Sequence, residues 1–486
     1  MAETFSDLIA AEDVLLFVNA AVTATGQREF RSGSHEQRLS LSFLHAYVRV
    51  NYRPVYAAAL ALDINDHNAA LIIEQLLRTA ADAGGPEQKR AEGRLIAARL
   101  ATLPPQRVYR LFRALRAAKV NNRRTRAVLR DWLAARPDPA YDAVKYRSGL
   151  KSAARHAHLA LPHDEVGDFL FAPKRRVRYD DAFLDAHRRA HHEQSAVYEL
   201  PFTVAEGFAA RHGIPRQVFL ERIAPRMTRL ERLRTRRTGP AAADLSVMPL
   251  TRLALYALSL RAEERVARRA ELTGALRAAA RRAAGPYAGT WGRVAAVLDD
   301  SYSSSGSGEK RRRPLAVALG CHFLLEALAT TYTPLWTSGG TDALLVRPWG
   351  PTPLGTRILD ALEAVPERLV IVSDGWDNAP PGLAGEVLRV WRTRLDAERR
   401  TSVVHVNPVY DAEGFDVRRL APSVPTAGIR DAEDLPALVE IAQFAEGRTG
   451  LSDLQAYLDR RVELFLRDTR RTNGAARTNR TKGAGA

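Results

Sequence analysis

The sequence predicts an α-helical, repeat-like domain followed by an α/β domain with a doubly wound, mostly parallel sheet. Three observations carry this. Up to about residue 285, apolar residues recur at spacings of three and four, with arginines between them. From Trp291 onward, short β-branched runs alternate with helical stretches. Two of those runs end in aspartates, Asp299 and Asp374, at the strand ends where doubly wound sheets bind ligands.

Residues 1–285 form the helical part. "RVYRLFRALRAAKV" and "RRTRAVLRDWLAA" are amphipathic helices, and "DAGGPEQ", "LPPQ", "RPDP" and "RTGPAAAD" break the chain between such segments. Short helix pairs with short connectors suit a stacked, HEAT-like array, ring-shaped in one form, whose core forms by neighbour contact; an irregular helical domain is the alternative. In residues 286–447, "RVAAVLDD", "TYTPLWTS", "ALLVRPW", "RLVIVSDG", "SVVHVNPVY" and "VPTAGI" read as strands. "PLAVALGCHFLLEALA", "PLGTRILDALEAV", "AGEVLRVWRTRLDAE" and "DLPALVEIAQFAEG" read as helices. Residues 448–467 carry one more amphipathic helix. Residues 468–486 are basic and poor in apolar side chains, the composition of a disordered tail.

The chain of 486 residues carries 72 Lys and Arg against 55 Asp and Glu, a net charge of +17. A field of that sign concentrates polyanions. Nucleic acid is the first partner class it suggests; the plainer account is arginine used on solvated faces. One cysteine excludes an intramolecular disulfide framework and a cysteine-cluster zinc site. The start lacks the basic pattern of a secretory signal, and no apolar run reaches the roughly 18 residues of a membrane helix. These features suggest a soluble, cytoplasmic protein with no membrane association.

Three separated pieces carry oxygen ligands. Asp299-x-Ser301-x-Ser303 follows a strand, Thr352 in "GPTPLG" precedes a helix, and Asp374 in "VIVSDG" ends another strand. Two carboxylates and three hydroxyls suit Mg²⁺, with Mn²⁺ or Ca²⁺ as alternatives, and not zinc. So few charged ligands leave a cation electrophilic towards an outside carboxylate or phosphate. The order and spacing resemble the von Willebrand factor A domain with its metal-ion-dependent adhesion site. The resemblance implies that Ser301, Ser303 and Thr352 contact the metal directly or through water, and that Asp299 and Asp374 act largely through waters. The family's usual Gly and Met flanks are absent; Asp300, Tyr302 and a serine run stand there. Asp377 reads as a solvated loop residue.

In the helical part, an R-x-x-x-x-x-x-D-W helix is followed by "AVKYR" and "RHAHL". "LPFTVAEGF", "MTRLERLR" and "MPLTRLALYALSL" continue in order. This resembles the TROVE module of the Ro ribonucleoprotein family, in which a helical-repeat ring precedes an A domain. The resemblance implies binding of small structured non-coding RNA of the Y-RNA kind, and of the 3′ ends of misfolded RNA. Lys145, Arg155 and His158 match the family's RNA-contacting positions, and Arg147 matches loosely. The stretch between Lys145 and His158 is shorter here and lacks the family's usual tryptophan. Arg123 and Arg124 form a second basic cluster at a helix start, and Lys174 to Arg178 a third. His187 and His191, at i and i+4, read as solvated or RNA-facing, and Cys321 as a buried thiol.

These readings lead to a non-enzymatic, Ro-like RNA-binding protein whose A domain uses a divalent cation for partner contact, with no DNA partner expected. The alternative is a metal-dependent protein adaptor working with a AAA-type ATPase or another partner. A two-metal nuclease needs more carboxylates than converge here.

Overall fold

The computed structural model of the chain describes residues 5–159, 164–173, 177–228, 231, 232, 235, 245–422, 424–436, 438 and 455–470. A helical N-terminal part is followed by a parallel sheet. By packing, the chain divides into two compact units. One takes Met1–Ala69 and Asp244–Phe465; the other is built chiefly from Ala70–Ala243. This cut differs from the change of sequence texture near residue 286, because the first 69 residues pack with the sheet.

The sheet holds five parallel strands: β1 (Arg293–Leu298), β2 (Thr331–Trp336), β3 (Arg368–Val372), β4 (Ser402–Asn407) and β7 (Thr426–Gly428). A small antiparallel hairpin, β5 (Tyr410–Asp411) with β6 (Asp416–Val417), lies between β4 and β7 in sequence. The strand order is β2-β1-β3-β4-β7. The chain therefore moves from β1 to one side for β2, then crosses to the other side for β3. The crevice at β1 and β3 is the topological switch point, where such sheets take ligands.

The helix Arg313–Leu328 packs on one face of the sheet. It is apolar nearly all round because further helices, Leu250–Ser259 and Arg269–Ala284, cover its outer side. On the other face, Leu354, Ile358 and Leu388 from two helices meet Val297, Leu369 and Ile371. The N-terminal helix Phe5–Thr23 covers the β7 edge. Asn19 accepts the Gly428 N–H at 2.9 Å and donates to Asp416 at 3.0 Å. This satisfies part of an edge that would otherwise present free backbone groups.

"ALLVRPW" is not a strand; residues 343–349 are turn and coil. The Arg265 guanidinium takes the carbonyls of Leu344 at 2.7 Å and Val346 at 3.1 Å, and Asp342 holds the Leu344 N–H at 3.0 Å. Those backbone groups are bound elsewhere, so β2 remains the sheet edge. Residues 455–470 are helical. The tail from 471, most of "DLPALVEIAQFAEG" and Lys174 lie outside the described residues.

The Ala70–Ala243 unit consists of short helices. Pro105–Ala117 buries Val108, Tyr109, Leu111, Phe112 and Leu115, and Arg123–Ala134 buries Leu129, Trp132 and Leu133. Trp132 meets Tyr109 and Phe112 edge-on and donates its indole N–H to Leu100 O at 3.1 Å. The Asn122 side chain caps the second helix by accepting the Thr125 N–H at 2.8 Å.

Candidate metal centre and basic surface

β2, β1 and β3 end side by side. Leu298 pairs with Trp336 and with Val372. The Asp299 N–H then donates to Val372 O, and the Thr337 N–H to Leu298 O, both at 2.9 Å. Three loops leave these ends and are tied together. Tyr302 N–H donates to Gly350 O at 3.0 Å and Trp349 N–H to Asp300 O at 2.8 Å, joining the serine loop to the Thr352 loop. Thr352 N–H donates to Asn378 Oδ1 at 2.8 Å, which joins that loop to the one after β3.

The side chains follow the loops. Asp299 Oδ1 accepts the Ser301 N–H at 2.8 Å, and the Ser301 and Ser303 hydroxyls lie 3.2 Å apart. Ser303 also hydrogen-bonds Asp374. Asp299, Ser301, Ser303 and Asp374 are thus brought together, and Thr352 is held on the adjoining loop. All five are no more than 7% exposed. The serine turn Tyr302–Ser305 ends on Gly306 at φ +67°, where a Cβ would run into Lys310 O. Gly375, at φ +78° beside Asp374, faces Arg418 O in the same way.

Burial, and then the charge of Asp374, push the Asp299 carboxyl up to about 7. Asp374 is raised too, by burial, against hydrogen bonds from Ser303 and the Trp376 N–H and the charges of Arg31 and Arg418. Among the described residues neither buried carboxylate makes an ion pair within 4.0 Å, and Arg31 and Arg418 offset only part of the burial at Asp374; a hard cation would supply the missing charge. The donor set fits Mg²⁺: oxygen only, with neutral hydroxyls. Among the described residues, no group of three or more His, Cys, Asp or Glu is placed to hold a metal. Any cation here depends on the hydroxyls.

Three neighbours were not legible as parts of this site. Asp300 is buried, and its carboxylate accepts from Thr337 Oγ1 at 2.9 Å, Ser338 N at 2.8 Å and Ser338 Oγ at 2.6 Å. It locks the loop after β2 onto the loop after β1. Asp377 is not a solvated loop residue; its Oδ2 accepts the Ala384 N–H at 2.6 Å at the start of the helix Leu383–Val390. The third is the segment from Arg28 to Arg31. Ser307 Oγ donates to Arg28 O at 2.6 Å across 279 residues, and Glu29 forms a buried ion pair with Lys310. Arg31 stacks on Trp376. No local motif announces such contacts.

The basic residues of the helical unit fall into three settings. Lys145 is half-buried, bonded to Tyr141 OH at 3.0 Å, and Arg147 donates to Phe169 O at 3.1 Å while lying over that ring. Arg124 is committed to Glu92, itself buried, at 2.9 Å. Arg123, Arg155 and His158 are exposed. His158, at φ +49°, contacts Asn121 at 3.3 Å, so Arg123 and Arg155 both lie within three residues of that contact. Arg147, Lys151 and Arg155 share the helix Arg147–His156 at i, i+4 and i+8, and Lys151 and Arg155 both lie over Phe171. His187 is half-buried and packs edge-on against Phe169 and Phe208; burial holds its imidazole down to about 4. It is a packing residue rather than a solvated one. Cys321 is fully buried. No helix among the described residues is long and apolar enough to cross a membrane.

No protein-family model matches the chain, and no curated protein matches it significantly.

Proposed function

We propose that the chain is a non-enzymatic, Ro-like RNA-binding protein, in which a TROVE-like, HEAT-like helical part binds small structured RNA. A von Willebrand factor A-like part holds a divalent cation, Mg²⁺ in the first instance, for contact with a partner. The carrying observation is the meeting of Asp299, Ser301, Ser303 and Asp374 at the switch point of a 2-1-3-4 parallel sheet, with Thr352 on the adjoining loop. That is the ligand set and order that the A-domain resemblance implies. The exposed group Arg123, Arg155 and His158 supports the RNA reading, because the two guanidinium groups make no ion pair among the described residues and can neutralise phosphates.

Ser301 and Ser303 would offer hydroxyl oxygens to the cation, and Asp299 and Asp374 its balancing charge. The bound cation supplies an electrophilic position for an outside anion. Two carboxylates are too few for a two-metal hydrolytic centre, which is why the proposed role is binding.

The RNA test uses a 3′-tailed stem–loop and fluorescence anisotropy over a salt series. Replacing Arg123, Arg155 and His158 together by Ala should weaken binding and lower the salt slope by roughly two, one for each arginine. Replacing Arg389, Arg394 and Arg399 of the other unit should leave the slope nearly unchanged. Equal losses would mean diffuse attraction and would overturn the mapped site. A second reading, a metal-dependent adaptor for an ATPase or other protein, draws support from the cleft beside Asp374.

A further inference from the structure

Beside the metal loops lies a cleft of about 850 Å³, within the range of sites that enclose a ligand. Asp374 of the candidate metal centre lines it, next to Trp376. The Arg31 guanidinium lies 4.0 Å from one ring of Trp376 and that of Arg418 lies 3.7 Å from it. Stacking occupies the flat faces of both guanidinium groups and leaves their N–H edges for another partner. Among the described residues, neither makes an ion pair within 4.0 Å. Glu29 and Glu36, which also line the cleft, are already engaged, the first by Lys310 and the second by the Gly33 N–H at 2.8 Å.

The cleft continues over apolar side chains. Leu39 and Phe43 are 63% and 59% exposed, high values for large hydrophobic residues on a cleft wall. Phe43 meets Phe415 of the β5–β6 turn at 5.3 Å. That turn also brings Asp411 and Glu413 to the cleft. Its charge is therefore uneven: Arg31 and Arg418 lie at the Asp374 end, Asp411 and Glu413 at the turn, and Glu36 keeps its negative charge on the same lining.

We propose that this cleft is the specificity site for a protein partner, and that it takes an extended segment in which a carboxylate is followed within a residue or two by a bulky apolar side chain. The inference rests on the metal reading above. The carboxylate would complete the cation's coordination and receive the N–H edges of Arg31 and Arg418. The apolar side chain would cover Leu39, Phe43 and Phe415. Asp411 and Glu413 repel a second acid at the turn, which fixes the direction of the segment. At the Asp374 end, the two arginines together with a bound cation favour an acidic group over a basic one. The apolar wall favours such a segment over a free inorganic anion, which would leave Leu39 and Phe43 in water.

The test is a random short-peptide display selected on the full chain in Mg²⁺ and released with EDTA, with Mg²⁺ binding followed in parallel by calorimetry. The enriched peptides should carry Asp or Glu next to a large apolar residue. A synthetic peptide of the enriched sequence should bind the Leu39→Ser/Phe43→Ser and Arg31→Gln/Arg418→Gln variants at least about tenfold more weakly by anisotropy. All four positions are exposed, so each variant should fold, and circular dichroism checks this. The proposal is overturned if no peptide is enriched, if the enriched peptides lack a carboxylate, or if the Leu39→Ser/Phe43→Ser variant binds them as the wild type does. Selective binding of an oligouridylate in place of peptides, lost in Arg31→Gln/Arg418→Gln, would assign the cleft to RNA and overturn it as well. Mg²⁺ heat without an acidic–apolar sequence defeats the cleft inference alone. Absence of Mg²⁺ heat defeats the metal reading and the cleft inference with it.

Discussion

Asp299→Asn should make the metal-free protein more stable while removing its response to Mg²⁺. In EDTA at neutral pH and above, the folded chain must keep the buried Asp299 ionised beside Asp374. Burial, and then Asp374, raise its pKa from 3.8 to about 7. The folded state therefore holds this proton more tightly than the unfolded state. Stability falls as pH rises through the window from 3.8 to about 7 and is flat above it. That rise corresponds to ~4 kcal/mol at about pH 8, and to ~2 kcal/mol at about pH 5.5, where the folded carboxyl is still protonated. Asparagine keeps an oxygen to accept the Ser301 N–H, now bonded at 2.8 Å, and loses the charge. Urea unfolding followed by circular dichroism should show Asp299→Asn gaining up to ~4 kcal/mol in EDTA at about pH 8, and about half of that at about pH 5.5. With Mg²⁺ at a hundredfold excess over its Kd, the wild type should gain about 2.7 kcal/mol and Asp299→Asn nothing. A variant less stable than wild type in EDTA at the higher pH, or one that responds equally to Mg²⁺, would refute the reasoning.

Gly306→Ala should destabilise the chain by about 2 kcal/mol and abolish calorimetric Mg²⁺ binding, since its Cβ would run into Lys310 O at a positive φ. Intact Mg²⁺ binding in that variant would separate the serine loop from the cation. Arg124→Ala should cost up to roughly 3 kcal/mol in urea, because the buried Glu92 loses this guanidinium and keeps the Gln88 amide at 3.3 Å. RNA affinity per folded molecule should stay the same, and a loss of affinity with unchanged stability would return Arg124 to the RNA surface. Acid should unfold the chain through His45 and His405, both fully buried, whose imidazoles burial lowers from 6.5 to about 4. The unfolded state takes the protons first, so stability is complete above 6.5 and is lost as pH falls towards 4, by up to ~3 kcal/mol per histidine. Urea midpoints that stay level across this window would contradict the assignment.

The parts of the fold legible in the sequence are those whose cause is local. β1, β3 and β4 announce themselves as apolar, β-branched runs because both their faces are covered. The helix Arg313–Leu328 is apolar on every side for the same reason. The candidate metal residues are legible because a turn that aims two hydroxyls at one point needs a fixed spacing, Asp-x-Ser-x-Ser. What was misread has a distant cause. "ALLVRPW" has strand composition, but Arg265, far earlier in the chain, takes its carbonyls. Arg124 and Arg123 look alike in sequence, and only the fold brings Glu92 to one of them. His187 reads as solvated in an arginine-rich helix until Phe169 and Phe208 are found against it.

The same distinction explains why sequence texture and packing divide the chain at different places. Texture records which secondary structure a segment prefers, and that changes near residue 286. Packing records which segments satisfy each other's buried groups. Asn19 answers the Gly428 N–H on the sheet edge, and Glu29 answers the buried ammonium of Lys310 just beyond the serine run. Arg28 O receives the Ser307 hydroxyl in the same stretch. A segment beginning at the texture boundary would expose the edge of β7 and leave Lys310 as an unpaired buried charge, a cost of several kcal/mol. The first 69 residues are helical by preference and belong to the sheet by satisfaction of its polar groups. The loops of the candidate metal centre and the cleft beside them therefore depend on the first 69 residues as well as on the sheet.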